Sequence, residues 1–260
     1  PIGTLDREDI VNLYVNEHYL IIFLKNEIIY YQMKHSPEGE YTLSTINTSE
    51  KTEVRYGFGD KNQVYWLDKD YNLFGYSLDK PVKKLICNWK EALDGRGTIV
   101  DILRDGRSFF VAFQTNGLLK ISLQANDKYT VDDLGIKSGV FRILKDRFQD
   151  IVWIATDGQG VYIYSEGKYS ISSVTYQDLN QSIGKPVRSI FWDNEGTLWL
   201  GTKGEGILKI YDFSPLKHNM NYRTELINSQ EDGLINNSVY AFAKSCRPMF
   251  WIGHDAGLSY

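Results

Sequence analysis

Three short stretches of this chain bring side chains together in ways that could do chemistry. His254 and Asp255 are adjacent, and an imidazole beside a carboxylate is the usual acid–base pair near neutral pH. Asp68, Asp70 and Asn72 alternate along one stretch, and Asp193, Asn194 and Glu195 are consecutive. Both stretches offer oxygen ligands of the kind calcium takes. Neither has full EF-type spacing, so both read as solvated β-turns, and His254 reads as a polar turn residue. The chain has no Gly-rich phosphate loop, no His-Glu-x-x-His, no Cys-x-x-Cys and no Gly-x-Ser-x-Gly. Cys87 and Cys246 fit no metal spacing and make no disulfide framework. The expectation is a chain without catalytic residues, resident metal or cofactor.

Composition narrows the classes further. Twenty-nine basic residues stand against 33 acidic ones, a net charge of −4, so no basic excess exists to drive nucleic-acid binding. The longest purely apolar run, Tyr19 to Leu24, is far short of the roughly 20 residues a membrane helix needs. The opening segment Pro1–Asp6 has neither a charged nor an apolar leader region, which fits a cytosolic protein or one already processed. Eighteen Tyr, 12 Phe and 6 Trp are too much apolar surface for a disordered chain.

The elements that must position any site emerge from an internal repeat. The β-branched residues Ile10, Val54, Ile99, Val140, Val187 and Val239 recur every 41 to 52 residues. Six places after each stands a short polar residue suited to opening a turn: Asn16, Asp60, Asp105, Asp146, Asp193 or Ser245. A large apolar residue follows at about the twelfth place, among them Trp66, Trp199 and Trp251, with Trp153 one place later. Gly-containing turns then lead into further apolar strands, as in Gly160–Tyr164 and Gly206–Ile210. The fifth unit reads as strands 187–192, 197–202 and 206–211, with a weaker fourth near Tyr222–Ile227. The one helix-like stretch is short, around Trp89–Leu93. Four antiparallel strands at this period predict an all-β chain of about six propeller blades, starting near 10, 54, 99, 140, 187 and 239. The tryptophans then serve as apolar wedges between blades. The sixth unit stops after its third strand at Tyr260. Either a strand near Ile2–Leu5 completes it and closes a ring, or the chain is an open arc, an incomplete seven-bladed propeller.

The motif Val187-x-x-Ile190-x-x-Asp193-x-x-Gly196-x-Leu198-Trp199-Leu200-Gly201-Thr202, followed by Gly206-Ile207-x-x-Ile210, resembles the regulator-propeller repeat. That repeat builds periplasmic sensor regions of Bacteroides-type hybrid two-component histidine kinases. Val140–Tyr164 and Val239–Tyr260 resemble it too, and Asp232–Val239 is similar to the family's lead-in to a blade. The resemblance implies a periplasmic sensor of a glycan or oligosaccharide, signalling through a membrane helix and kinase outside these 260 residues. It also implies propellers of seven blades, often in tandem, and leaves room for a homodimer. Two alternatives stand beside it: a carbohydrate-active propeller enzyme of lyase or sialidase type, and a structural dimerisation propeller with ligand bound elsewhere. Asp193–Trp199 partly resembles the Asp-box turn of sialidase-type propellers, with Phe191 at the usual Ser position. Arg55, Arg142 and Arg188 fall near the starts of first strands but at unequal repeat positions, a poor match to the arginine triad a sialidase needs.

In a propeller, the loops between second and third strands gather on the axial face. Here those loops supply Asp70, Asn116, Asp157, Gln159, Lys203, Glu205, His254 and Asp255 as candidate ligand-binding residues. They carry both signs of charge and amide groups, a composition suited to sugar hydroxyls.

Overall fold

The computed structural model describes residues 9–35, 41–46, 50–125, 128–166, 172–173, 185–211, 223–244 and 249–260. The segment Ile2–Leu5 and Ser245 lie outside the described residues. Six antiparallel sheets follow one another along the chain, their strands in sequence order. Their first strands begin at Ile10, Val54, Ile99, Val140, Val187 and Val239. The fifth sheet is a complete example: Val187–Trp192, Leu198–Thr202, Ile207–Tyr211 and Arg223–Ile227. The first sheet carries an extra short strand, Glu50–Lys51, and the sixth has three strands among the described residues, ending with Gly257–Ser259. The single helix among the described residues is one turn, Lys90–Leu93, with Ala92 and Leu93 buried.

The chain divides into two compact units. One comprises Pro1–Arg96 with Leu123–Thr130, and the other Gly97–Ser122 with Val131–Tyr260. Within each unit, the first strand of a sheet packs on the first and second strands of the sheet before it. Second strands of the first five sheets are apolar runs largely buried on both faces, as in Ile151–Thr156, where all six residues are buried. In the first unit Phe23, Ile28 and Tyr30 pack on Val54, Val64 and Trp66. In the second, Trp153 and Ile163 pack on Val187, Ile190 and Leu198. A four-stranded sheet cannot cover both its faces alone. Stacked as successive blades it can, and this is the all-β architecture of a propeller, with six blade sheets along the chain.

One expectation is corrected in register. Trp153, Trp199 and Trp251 pair with Leu144, Phe191 and Ala243, each four places after the first-strand anchor. Trp66 pairs with Gly57, three places after Val54. The second sheet's hairpin has only Lys61 and Asn62 between its paired residues Asp60 and Gln63, whereas the fifth sheet's turn runs from Asp193 to Thr197. A count of twelve from the anchor therefore lands on opposite faces, because a one-residue slip turns a strand side chain over. Trp66 packs back towards the first sheet, while Trp153 packs forward on the fifth and Trp199 forward on the sixth. Trp251, in the same register on the last sheet, is 42% exposed. The wedge role thus holds for three tryptophans and not for the fourth.

The polar residue at the sixth place also splits in two. In the longer turns it is a hub. Asp193 Oδ1 accepts the Glu195 and Thr197 amides, and its Oδ2 accepts Trp199 Nε1 at 2.9 Å. Asp146 does the same for Phe148, Gln149 and Trp153. In the two-residue hairpins, Asp60 and Asp105 end the ladder instead, opposite Gln63 and Ser108.

Candidate functional site

Every first strand carries a β-bulge one residue after its anchor, where the register to the second strand shifts. A bulge leaves its extra residue outside the ladder and re-aims the side chain. The six residues at this place are Val11, Arg55, Val100, Phe141, Arg188 and Tyr240. Each anchor pairs with the end of its second strand, Val187 with Thr202 and Val239 with His254 for example. The bulge residues therefore share one end of their sheets with the loops between second and third strands.

Those loops repeat in detail. Thr156 and Thr202 donate through Oγ1 to the carbonyls of Gly160 and Gly206, and accept the amides of Gln159 and Glu205. Gly206 lies at φ 91°, and a Cβ there would stand 2.1 Å from the Ile227 carbonyl oxygen, so the turn admits no side chain. Asp157, Lys203 and Asp255 also correspond: each donates its amide across the loop base, to Gly139, Pro186 and Ser238. Asn116 stands one place before Gly117, as Gln159 stands before Gly160. Six of the eight candidate residues thus fall into two repeated places in the second unit. Asp70 belongs to the first unit, where its amide binds Asp68 Oδ1 and its carbonyl accepts Asn88 Nδ2. His254 is set apart. It ends a strand, its ring is buried, and its Nε2 pairs with Ser259 Oγ at 2.7 Å.

At the loop end of the second unit's sheets, three bulge residues from three successive sheets form a stack. The Arg188 guanidinium lies over the Tyr240 ring at 4.5 Å and over the Phe141 ring at 5.5 Å from the centroid. Tyr240 hydrogen-bonds Asp255, and that bond is the main reason its phenol pKa is raised. Arg188 Nε is buried and has no hydrogen-bond partner among the described residues. Stacking fixes the plane of the guanidinium and leaves its edge free to donate. The first unit shows the contrast: Arg55, also at a bulge, lies over Tyr71 at 4.1 Å and donates to the Lys69 carbonyl.

Arg142, one place further on, takes no part. Its guanidinium stands 3.6 Å from Asp101, whose buried carboxylate also accepts the Ile143 amide. Burial is the largest influence on Asp101 and raises its pKa, against the pull of Arg142 and the amides. Arg142 and Arg188 therefore serve different partners, and the Phe141–Arg188–Tyr240 stack is what the sequence reading missed. Its signal was the place after each anchor, legible once the bulge is known.

The acidic stretches are turns. Asp68 spends Oδ1 on the Asp70 and Asn72 amides and Oδ2 on Asn72 Nδ2. Among the described residues no cluster of three or more His, Cys, Asp or Glu is placed to hold a metal ion. At the opposite end of the fifth and sixth sheets lies a recess of about 220 Å³, walled by Phe191, Trp199 and Phe250 and edged by Glu195 and Lys244. Its aromatic walls are mutually packed, with Trp199 edge-on to Phe250 at 4.6 Å.

Blades, bulges and inner loops define the class: a β-propeller whose variable residues sit at one end of its first strands. The family model described as "Two component regulator propeller" matches residues 181–204, so the fifth sheet carries that repeat. No curated protein matches the chain. The extracellular domain of BT4673 from B. thetaiotaomicron, described as a hybrid two component system, is similar over 100% of this chain and 33% of its own, with 19% identity and a TM-score of 0.65. The extracellular domain of BT3049 from the same organism, described likewise, is similar over 98% and 34%, with 12% identity and a TM-score of 0.57. YCF48 from Cyanidioschyzon merolae is similar over 92% and 79%, with 13% identity and a TM-score of 0.55. At these identities the likeness is one of fold, and the chain spans about a third of the length of the two B. thetaiotaomicron domains.

Proposed function

We propose that this chain is a non-enzymatic, extracytoplasmic sensing module of a hybrid two-component regulator. Its input is a glycan or an oligosaccharide, bound where Phe141, Arg188 and Tyr240 meet the loops holding Asp157, Gln159, Lys203, Glu205 and Asp255. The observation that carries the reading is the coincidence of family repeat and stack: residues 181–204 include Arg188 and Lys203. The extracellular domains of similar fold support a periplasmic location. Binding would bias a domain or dimer rearrangement that a membrane helix passes to a histidine kinase, both outside these 260 residues. The test is a thermal-shift screen of the complete sensor region against oligosaccharides. Stabilisation by one glycan, lost when Arg188 is replaced, is expected. No shift with any glycan would refute the assignment.

A further inference from the structure

The Phe141–Arg188–Tyr240 stack has a chemistry of its own. Neutral sugars are held by apolar stacking on open aromatic faces and by acceptors that meet vicinal hydroxyls. Here the guanidinium itself covers a face of both rings, at 4.5 and 5.5 Å. What the stack offers is a fixed planar edge of N–H donors with no acceptor. Arg188 Nε is buried without a partner, and no ion pair holds the side chain among the described residues. The side chain is only half-buried, so its Nη groups are the donors that a ligand can reach. Asp255 is a carboxylate of the same sheet as Tyr240, and it is engaged by the Tyr240 phenol. The Lys203 ammonium adds a second cation on the neighbouring loop. A carboxylate presents two coplanar oxygens that match the two Nη groups side by side, which a hydroxyl pair or a tetrahedral oxyanion matches less well.

We infer that the ligand carries a carboxylate, as an acidic sugar does, and that Arg188, held by Phe141 and Tyr240, receives it as a bidentate pair through its two Nη groups. This rests on the sensing site proposed above and adds the charge of its ligand. The experiment is calorimetric titration of the 260-residue chain and of its Arg188→Lys and Tyr240→Phe variants. The probes are oligogalacturonate, the neutral oligogalactan, a sulfated galactan fragment and citrate. Oligogalacturonate should bind the parent chain, and Arg188→Lys should weaken it at least tenfold while keeping the charge and the melting temperature. Tyr240→Phe, which keeps the ring but frees Asp255, should weaken it severalfold. Oligogalactan binding as tight as oligogalacturonate, oligogalacturonate binding unchanged in Arg188→Lys, or preference for the sulfated fragment would overturn the inference and leave glycan sensing standing. Citrate binding that depends on Arg188, with no saccharide bound, would keep the carboxylate and refute the glycan. Binding of none of the four would overturn the inference, while glycan sensing is decided by the thermal-shift screen above.

Discussion

Replacing Asp193 tests whether one carboxylate holds a whole turn. In the fold it accepts three hydrogen bonds, from the Glu195 and Thr197 amides at 2.9 and 2.8 Å and from Trp199 Nε1 at 2.9 Å. Glu195 is exposed, so its amide finds water when the acceptor is lost. Thr197 is buried and Trp199 half-buried, so those two donors lose an acceptor that water does not fully replace. At about 1–3 kcal/mol for each stranded donor, Asp193→Ala should cost about 3 kcal/mol. For a chain of this size that is a fall in melting temperature of roughly 6–12 °C. Asp193→Asn keeps the Oδ1 acceptor but turns an NH2 group towards Trp199 Nε1, two donors facing each other. It should cost about 2 kcal/mol. Asp146→Ala should cost more than Asp193→Ala, because Asp146 and its Trp153 are both almost fully buried. Thermal unfolding followed by circular dichroism ranks the variants, and tryptophan fluorescence reports the indoles directly. Asp193→Asn as stable as the parent, or Asp193→Ala less stable than Asp146→Ala, would refute this account.

Three further outcomes follow from packing and charge. Gly201→Ala places a Cβ 2.2 Å from Ser189 Oγ and 2.7 Å from Val239 Cγ1, and should destabilise by about 1–3 kcal/mol in urea unfolding. Trp66→Ala removes a fully buried ring stacked on Phe74 and should cost about 3–5 kcal/mol, whereas Trp251→Ala should cost less than half of that; equal losses would contradict the register difference. Asp101 has a raised pKa through burial, so its contribution to stability is complete below the ordinary value of 3.8 and is lost as pH rises through the raised one. Urea midpoints of the parent chain should therefore fall relative to Asp101→Asn as pH rises from about 4 to neutrality, and parallel curves would contradict that sign.

Much of the fold was legible in the sequence because its signal is repetitive. A β-branched anchor recurs, and the same hydrophobic run follows it, so the strands of the fifth sheet appear within a residue or two of their observed ends. The face taken by Trp66 was not legible, since it depends on whether the intervening hairpin is tight or wide, and Asp60 and Asp193 look alike in a string of letters. The inner loops were legible as places, because Gly160 and Gly206 mark them. The stack of Phe141, Arg188 and Tyr240 was not, for two reasons. Each member comes from a different repeat about 50 residues apart. The bulge that turns them towards one another leaves no residue signature of its own. His254 shows the converse: its polar neighbours suggest a loop, yet its ring fills the sheet, where the corresponding Thr202 satisfies a turn.

The recurrent bulge separates two tasks that a regular strand would confound. A residue in the ladder has to suit its neighbours in the core, so changing it disturbs the sheet. The extra residue lies outside the ladder: Val11 and Val100 pack on the core from it, while Phe141, Arg188 and Tyr240 stack on one another. A lineage could exchange these side chains one repeat at a time, rewriting what the module recognises while its stability stays nearly constant.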